Sequence, residues 1–210
     1  MRIGGFQKFS LSDFPGCPAA IVFTQGCNFR CPFCHNGALI PETPNDGLLI
    51  PEEYVLSYLH SRAGKLDGLV VTGGEPTLQK RLAPFLRRVR EIGYRTKIDT
   101  NGSRPDVIAR LISEDLVDFI SMDVKAPPRL YDRLTGVSAP IDDITRSIEL
   151  LSLSGIEHEF RTTRVSALLS DDEMDGVAGM IPDGSTFKLQ TFNPSRAFDR
   201  SLRAADTARR

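Results

Sequence analysis

The sequence predicts an α/β fold in which a parallel sheet carries helices on its outside. Three observations lead there. Short apolar runs alternate with longer amphipathic stretches, giving six β-then-α units along the chain. The first run, AAIVFT at 19–24, is apolar without a break, as a strand buried on both faces must be. Polar and ligating residues collect just after the strands. Six units can form a doubly wound sheet or an incomplete α/β barrel, and in both ligands gather at the C-terminal ends of the strands.

The elements follow in order. After 19–24 comes a loop rich in Pro, Gly and Asn, then a predicted helix over 51–63 whose start, Pro51-Glu52-Glu53, suits a helix N-terminus. DGLVVTG (67–73) is the second strand. The helix predicted over 78–92 ends at Gly93, and Pro84 is expected to bend it. YRTKIDT (94–100) is the third strand, with a helix over 105–114 behind it. VDFISMDV (117–124) is the fourth, followed by a short helix near 128–133 and a longer one over 141–153 that stops near Gly155. IEHEFRTTRV (156–165) is the fifth strand, before a helix over 171–180, and TFKLQTF (186–192) is the sixth.

Length and composition narrow the function. A chain of 210 residues with 40% hydrophobic content suits one domain over 1–210, with 1–18 as a lead-in and a tail from about 195 to 210 that frays. A net charge of −1 argues against wholesale binding of nucleic acid or anionic membrane. No stretch approaches the ~20 apolar residues of a membrane span, and the N-terminus, MRIGGFQKFSLSDFPG, lacks a signal-peptide core. The expected location is the cytoplasm. Clustered cysteines there bind metal or do chemistry more often than they form disulfides. The chain has 4 cysteines, enough for one cluster.

The strand ends carry the candidate chemistry. Cys27-x-x-x-Cys31-x-x-Cys34 follows the first strand and Gly73-Gly74-Glu75-Pro76 the second. Asp99-Thr100-Asn101-Gly102 follows the third, and Met122-Asp123-Val124-Lys125 ends the fourth. The fifth carries Arg161 and Arg164, and the sixth ends in Gln190-Thr191-Phe192-Asn193. A single site explains all of these together. The three clustered thiols can reach one cluster, and four irons with three cysteines leave one iron open, as a catalytic metal requires. A zinc site with Cys17 or His35 as fourth ligand is the alternative, weakened by the presence of only one C-x-x-C pair.

CNFRCPFC, with Phe33 before the third cysteine, resembles the CxxxCxxC signature of radical S-adenosylmethionine (radical SAM) enzymes. GGEP resembles that superfamily's second motif. The set SLSDFPG, GCNFRCPFCHN, GGEPT, DTNG and MDVK is similar to the activating enzymes of glycyl radical enzymes, nearest to the anaerobic ribonucleoside-triphosphate reductase activating proteins. The likeness extends to about Asn193. It implies a partial (βα)6 TIM-like barrel, open on one side, with parallel strands and outer helices.

The resemblance also implies roles. Cys27, Cys31 and Cys34 would hold a [4Fe-4S] cluster whose fourth iron binds SAM, with Phe33 near the adenine. Gly73, Gly74, Glu75 and Pro76 would meet the methionyl amine, with Glu75 as acceptor. Asp99, Thr100 and Asp123 match positions that hold a monovalent cation. Lys125, Arg161 and Asn193 match positions near SAM, although Asn193 stands where a related activase has histidine. A turn is the plainer reading of GGEP, and strand-end capping that of DTNG. His35 reads as packing behind the cysteines. His60, His158 and Cys17 read as structural, and SLRAADTARR as a solvated or frayed helix.

The implied activity is an oxidoreductase reaction. A flavodoxin or ferredoxin-type donor reduces the cluster, SAM is cleaved, and the 5′-deoxyadenosyl radical takes a Cα hydrogen from a glycine of a partner glycyl radical enzyme. Six βα units cannot close an eight-stranded barrel, so a lateral opening could admit a peptide loop. The alternatives are a pyruvate formate-lyase-type activase, a radical SAM enzyme acting on a small molecule such as a deazapurine precursor, and a non-enzymatic zinc or iron–sulfur module.

Overall fold

The structure, a computed structural model, describes residues 1–44 and 47–204. Among the described residues, seven strands form one sheet: β1 (Ile3–Ser10), β2 (Ala19–Thr24), β3 (Gly68–Gly73), β4 (Arg95–Thr100), β5 (Phe119–Asp123), β6 (Glu157–Arg164) and β7 (Thr186–Thr191). Their spatial order is their chain order, β1 to β7. A doubly wound sheet reverses order at a switch point, whereas this one adds each strand on the same side, as a barrel does. Strands β2 to β7 pair in parallel. No pairing joins β1 to β7 among the described residues, so the barrel stays open on one side.

The lead-in expected over 1–18 is corrected: it contains β1, which pairs antiparallel with β2 from Ile3↔Thr24 to Ser10↔Ala19. Its sequence, IGGFQKFS, has two glycines and no clean alternation, and its burial follows none either. Pairing with an apolar neighbour makes it a strand where local propensity does not.

Helices α1 (Glu52–Ser61), α2 (Leu82–Glu91), α3 (Pro105–Ser113), α4 (Tyr131–Thr135), α5 (Ile141–Leu153) and α6 (Asp171–Ala178) link the parallel strands, and α7 (Arg200–Ala204) follows the last. In α2, Leu82, Phe85, Leu86 and Val89 form one buried stripe at helical spacing. They join Leu69, Val71, Ile98, Ile120 and Phe160 in the core between sheet and helices, where burying each such side chain contributes about 1.5–3 kcal/mol.

Helix α2 starts at Leu82, later than predicted, because Glu75 caps a separate turn at Pro76–Leu78 and Gln79 is extended. Pro84 then lies in the first turn, where a missing N–H costs nothing and no bend is needed. The short helix near 128–133 becomes a tight turn at Pro128–Leu130 followed by α4. Of the tail, a turn at Pro194–Arg196 and α7 are ordered elements, and 205–210 lies outside the described residues. Among the described residues, no helix is long and apolar enough to cross a membrane.

Inside the sheet, the base is apolar. Phe14, Cys17, Ala19, Ile21 and Val70 form a small separate cluster, with Phe23 and Phe119 against it. Above this plug the interior turns polar and opens at the C-terminal rim.

Candidate active site

A cleft of about 370 Å³ at that rim is lined by Cys27, Cys31, Phe33, Cys34, Gly73, Gly74, Glu75, Asp99, Thr100, Asp123, Lys125 and Arg161, among others. Residues from five strand ends thus meet in one place. Asn193 and Pro76 are not in its lining. Pro76 is buried at the start of its turn. The Asn193 side chain accepts from the Ser195 N–H and hydroxyl at 3.2 and 2.7 Å, capping the next turn.

The cysteine loop is shaped by its backbone. Gly26 N–H donates to Leu39 O and Cys27 N–H to Ile40 O, closing its base at 2.8 and 3.0 Å. Arg30 N–H reaches Thr135 O at 2.6 Å, and the Arg30 guanidinium donates to the Cys27 and Phe29 carbonyls. Asn28 and Asn101 tie this loop to the loop after β4: Asn101 Nδ2 donates to Asn28 Oδ1 and Asn28 Nδ2 to Ser103 Oγ, both at 2.9 Å. The glycines of GGEP are explained by the same contact. A Cβ on Gly74 would stand 2.2 Å from Gly26 O, and one on Gly73 2.3 Å from Thr24 N. They let the two loops close on each other.

Burial pushes the Cys27 thiol up to about 12, with Glu75 adding to the effect, and pushes Cys31 up to about 11 against the pull of Lys125. Burial raises Cys34 as well. Such thiols keep their protons until a metal displaces them. Among the described residues, no three His, Cys, Asp or Glu side chains close on a single metal ion. Cys17 lies in the apolar plug and offers no fourth thiol. The donor set fits a cluster with one iron free of protein ligands.

Glu75 is 1% exposed. Its Oε1 accepts from Thr77 N–H, the Thr77 hydroxyl and the Thr100 hydroxyl at 3.0, 2.6 and 2.8 Å, and its Oε2 accepts from Asn101 N–H at 2.8 Å. Burial raises its pKa, and these donors hold the rise back. Oε1 takes three donors and Oε2 one, so Oε2 is the less engaged oxygen of a carboxylate that lines the cleft.

A ladder of charges crosses the cleft floor from β4 to β6. Lys97 pairs with Asp99 Oδ1, and Arg161 Nη2 stands 3.4 Å from Asp99 Oδ2. Arg161 Nε donates to Asp123 Oδ1 at 3.0 Å and Lys125 Nζ to Asp123 Oδ2 at 2.9 Å. Burial works against the charges of Asp123, Lys125 and Arg161, yet Arg161 and Lys125 hold the Asp123 carboxylate far below its usual range. Asp123 in turn raises Lys125 and Arg161. Each of the four oxygens of Asp99 and Asp123 already has a cationic partner. Thr100 Oγ1 is engaged by Glu75. A monovalent cation here would share these carboxylates with three protein cations, Lys97, Arg161 and Lys125.

Sequence reasoning missed Lys97, which is 1% exposed inside the sheet. It also missed Asp13, Thr163 and Arg196 in the cleft wall. Lys97 had a signal: it is two residues before Asp99, on the same strand face. Arg164 points away and pairs with Asp171 at 2.6 Å. His158 bonds Ile156 O and Ser185 Oγ, and His60 lies in the last turn of α1; neither lines the cleft.

The radical SAM superfamily profile matches residues 21–181. A Methanocaldococcus jannaschii protein that carries the provisional name glycyl-radical enzyme activating enzyme is 30% identical over 207 residues, 96% of this chain and 84% of that protein. The 7-carboxy-7-deazaguanine synthase of Koribacter versatilis is 36% identical over 118 residues, 55% of this chain and 47% of that enzyme. Streptococcus suis SuiB, solved with its precursor peptide SuiA, superposes with a TM-score of 0.67 at 15% identity, over 90% of this chain and 45% of SuiB. The chain thus spans less than half of the last two proteins. With three thiols, a glycine-braced second loop and a profile match over most of its length, the chain belongs to the radical SAM superfamily, whose enzymes pair SAM with a [4Fe-4S] cluster.

Proposed function

We propose that the chain is the activating enzyme of a glycyl radical enzyme, with anaerobic ribonucleoside-triphosphate reductase as the partner. The observation that carries the reading is the meeting of three thiols, Glu75 and the Asp99–Arg161–Asp123–Lys125 ladder in one cleft at the rim of an open barrel. Similarity to the M. jannaschii protein along 96% of the chain supports it.

When bound, the cluster and SAM supply a 5′-deoxyadenosyl radical on reduction. The chain's own residues bind and orient. Cys27, Cys31 and Cys34 hold the cluster. Glu75, through Oε2, would accept from the methionyl amine. The ladder sets three cations against two carboxylates, and its surplus positive charge suits the SAM carboxylate. Phe33, 4% exposed, gives the adenine an apolar wall. The gap between β1 and β7 admits the partner's glycine segment. A flavodoxin or ferredoxin-type protein serves as donor, and the cytoplasm keeps the thiols reduced.

Because Arg161 and Lys97 already neutralise the carboxylates, SAM affinity is expected to agree within about twofold in potassium, sodium and choline buffers of equal ionic strength. Titration calorimetry checks this, and a marked gain with one metal ion would contradict it. The function itself is tested by mixing anaerobic protein with the reductase, SAM and reductant. The expected result is a glycyl radical doublet in the electron paramagnetic resonance spectrum. The K. versatilis enzyme gives the second reading its basis: conversion of a deazapurine precursor, with no doublet, would decide for a small-molecule enzyme.

A further inference from the structure

The segment after β7 turns back over the rim and lands on the cysteine loop. Four contacts fix it. Asn193 N–H donates to His35 Nε2 at 3.1 Å, between residues 158 apart in sequence. The Phe192 ring stacks on the His35 imidazole, with centroids 5.7 Å apart and planes 13° from parallel. Asp199 N–H donates to Pro32 O at 2.8 Å. Phe198 packs on Gly37 so closely that a Cβ there would lie 2.6 Å from the ring. Between these contacts Ala197 is fully buried, and the Asn193 side chain holds the turn at Pro194–Arg196.

The contacts fall on the part of the loop that matters most. Pro32 lies between Cys31 and Cys34, and His35 follows Cys34 directly. The segment therefore joins the end of the last strand to the loop after the first parallel one. It also brings Arg196 to the cleft wall. His35 is exposed, so its stacking adds little to the core; what the contact does is fix the loop relative to β7.

We propose that residues 192–203 form a strap that sets the position of the cysteine loop, with His35 as the positioning residue that latches it. The proposal needs Cys31 and Cys34 as cluster ligands but not a particular partner, so a failed reductase assay leaves it standing. A stacked pair and a hydrogen bond together shift a closed–open equilibrium by about tenfold. An open latch exposes the cluster.

The test is the rate at which the anaerobically reconstituted protein loses iron to a ferrous chelator. His35→Ala, which removes the stack and the hydrogen bond, is expected to speed the loss about tenfold, Phe192→Ala, which removes only the stack, by less, and the double variant no more than His35→Ala alone. His35→Phe, which keeps a ring on Phe192, should recover part of the effect. The apoprotein's melting temperature should move by less than about 4 °C, which separates positioning from general stability. Phe192→Ala reports on the strap without touching the residue beside Cys34. Unchanged iron loss in both single variants, additive effects in the double, or iron loss that rises only with a larger fall in melting temperature would each overturn the proposal.

Discussion

Replacing Cys31 with alanine is expected to abolish the cluster and to lower reductive SAM cleavage by about four orders of magnitude or more, to the uncatalysed background. Cys31 is the most buried of the three clustered thiols, at 7% exposure, and its neighbours are fixed by the backbone bonds of the loop. Two remaining cysteines cannot hold four irons, and no spare thiol lies within reach, because Cys17 is sealed in the apolar plug with Phe14, Ala19 and Ile21. Cys17→Ala supplies the control. It removes one buried atom, costs about 1 kcal/mol of stability and leaves iron content and SAM cleavage unchanged. Iron analysis and 5′-deoxyadenosine formation are the readouts. A Cys31→Ala protein that keeps its iron would remove the ligand assignment.

Glu75→Ala is expected to destabilise the apoprotein by about 3–5 kcal/mol, near the upper end for single substitutions. The carboxylate collects donors from three residues, and its loss leaves them buried without an acceptor. Glu75→Gln is milder. Its amide oxygen can serve the three donors on the Oε1 side, but its NH2 then faces the Asn101 N–H, at a cost of about 1–3 kcal/mol. The same NH2 replaces the less engaged oxygen, so SAM affinity should fall in a variant that still folds. Urea unfolding of the apoprotein and calorimetry with SAM separate the two effects. A Glu75→Ala protein within about 1 kcal/mol of the parent would show that the four bonds do not organise the rim.

Much of this arrangement was legible in the sequence. The strands β2 to β7 read as strands because apolar runs recur between helical stretches, and the cysteine loop, GGEP and DTNG stand where strands end. What escaped is what depends on distant partners. β1 is a strand only because β2 needs a neighbour; its own residues, Gly4, Gly5, Gln7 and Lys8, argue otherwise. Lys97 hides in a strand where buried positions are expected to be apolar, and only the facing Asp99 and Phe119 give its ammonium a place. The cation expected at Asp99, Thr100 and Asp123 came from matching residue types. Whether their oxygens are free depends on Arg161, from a different strand. Asn193 matched a position, yet its side chain turned to Ser195. The resemblance set the GGEP glycines against the methionyl amine, and the structure adds a second reason for them, the closeness of Gly26.

The central claim is that the three thiols hold a cluster with one iron left for SAM. Its most direct test is anaerobic reconstitution followed by metal analysis and reduction with dithionite in the presence of SAM. The account predicts about four irons per chain and 5′-deoxyadenosine formation that depends on the reductant. A single zinc per chain, or SAM left intact by a fully reduced cluster, would contradict it.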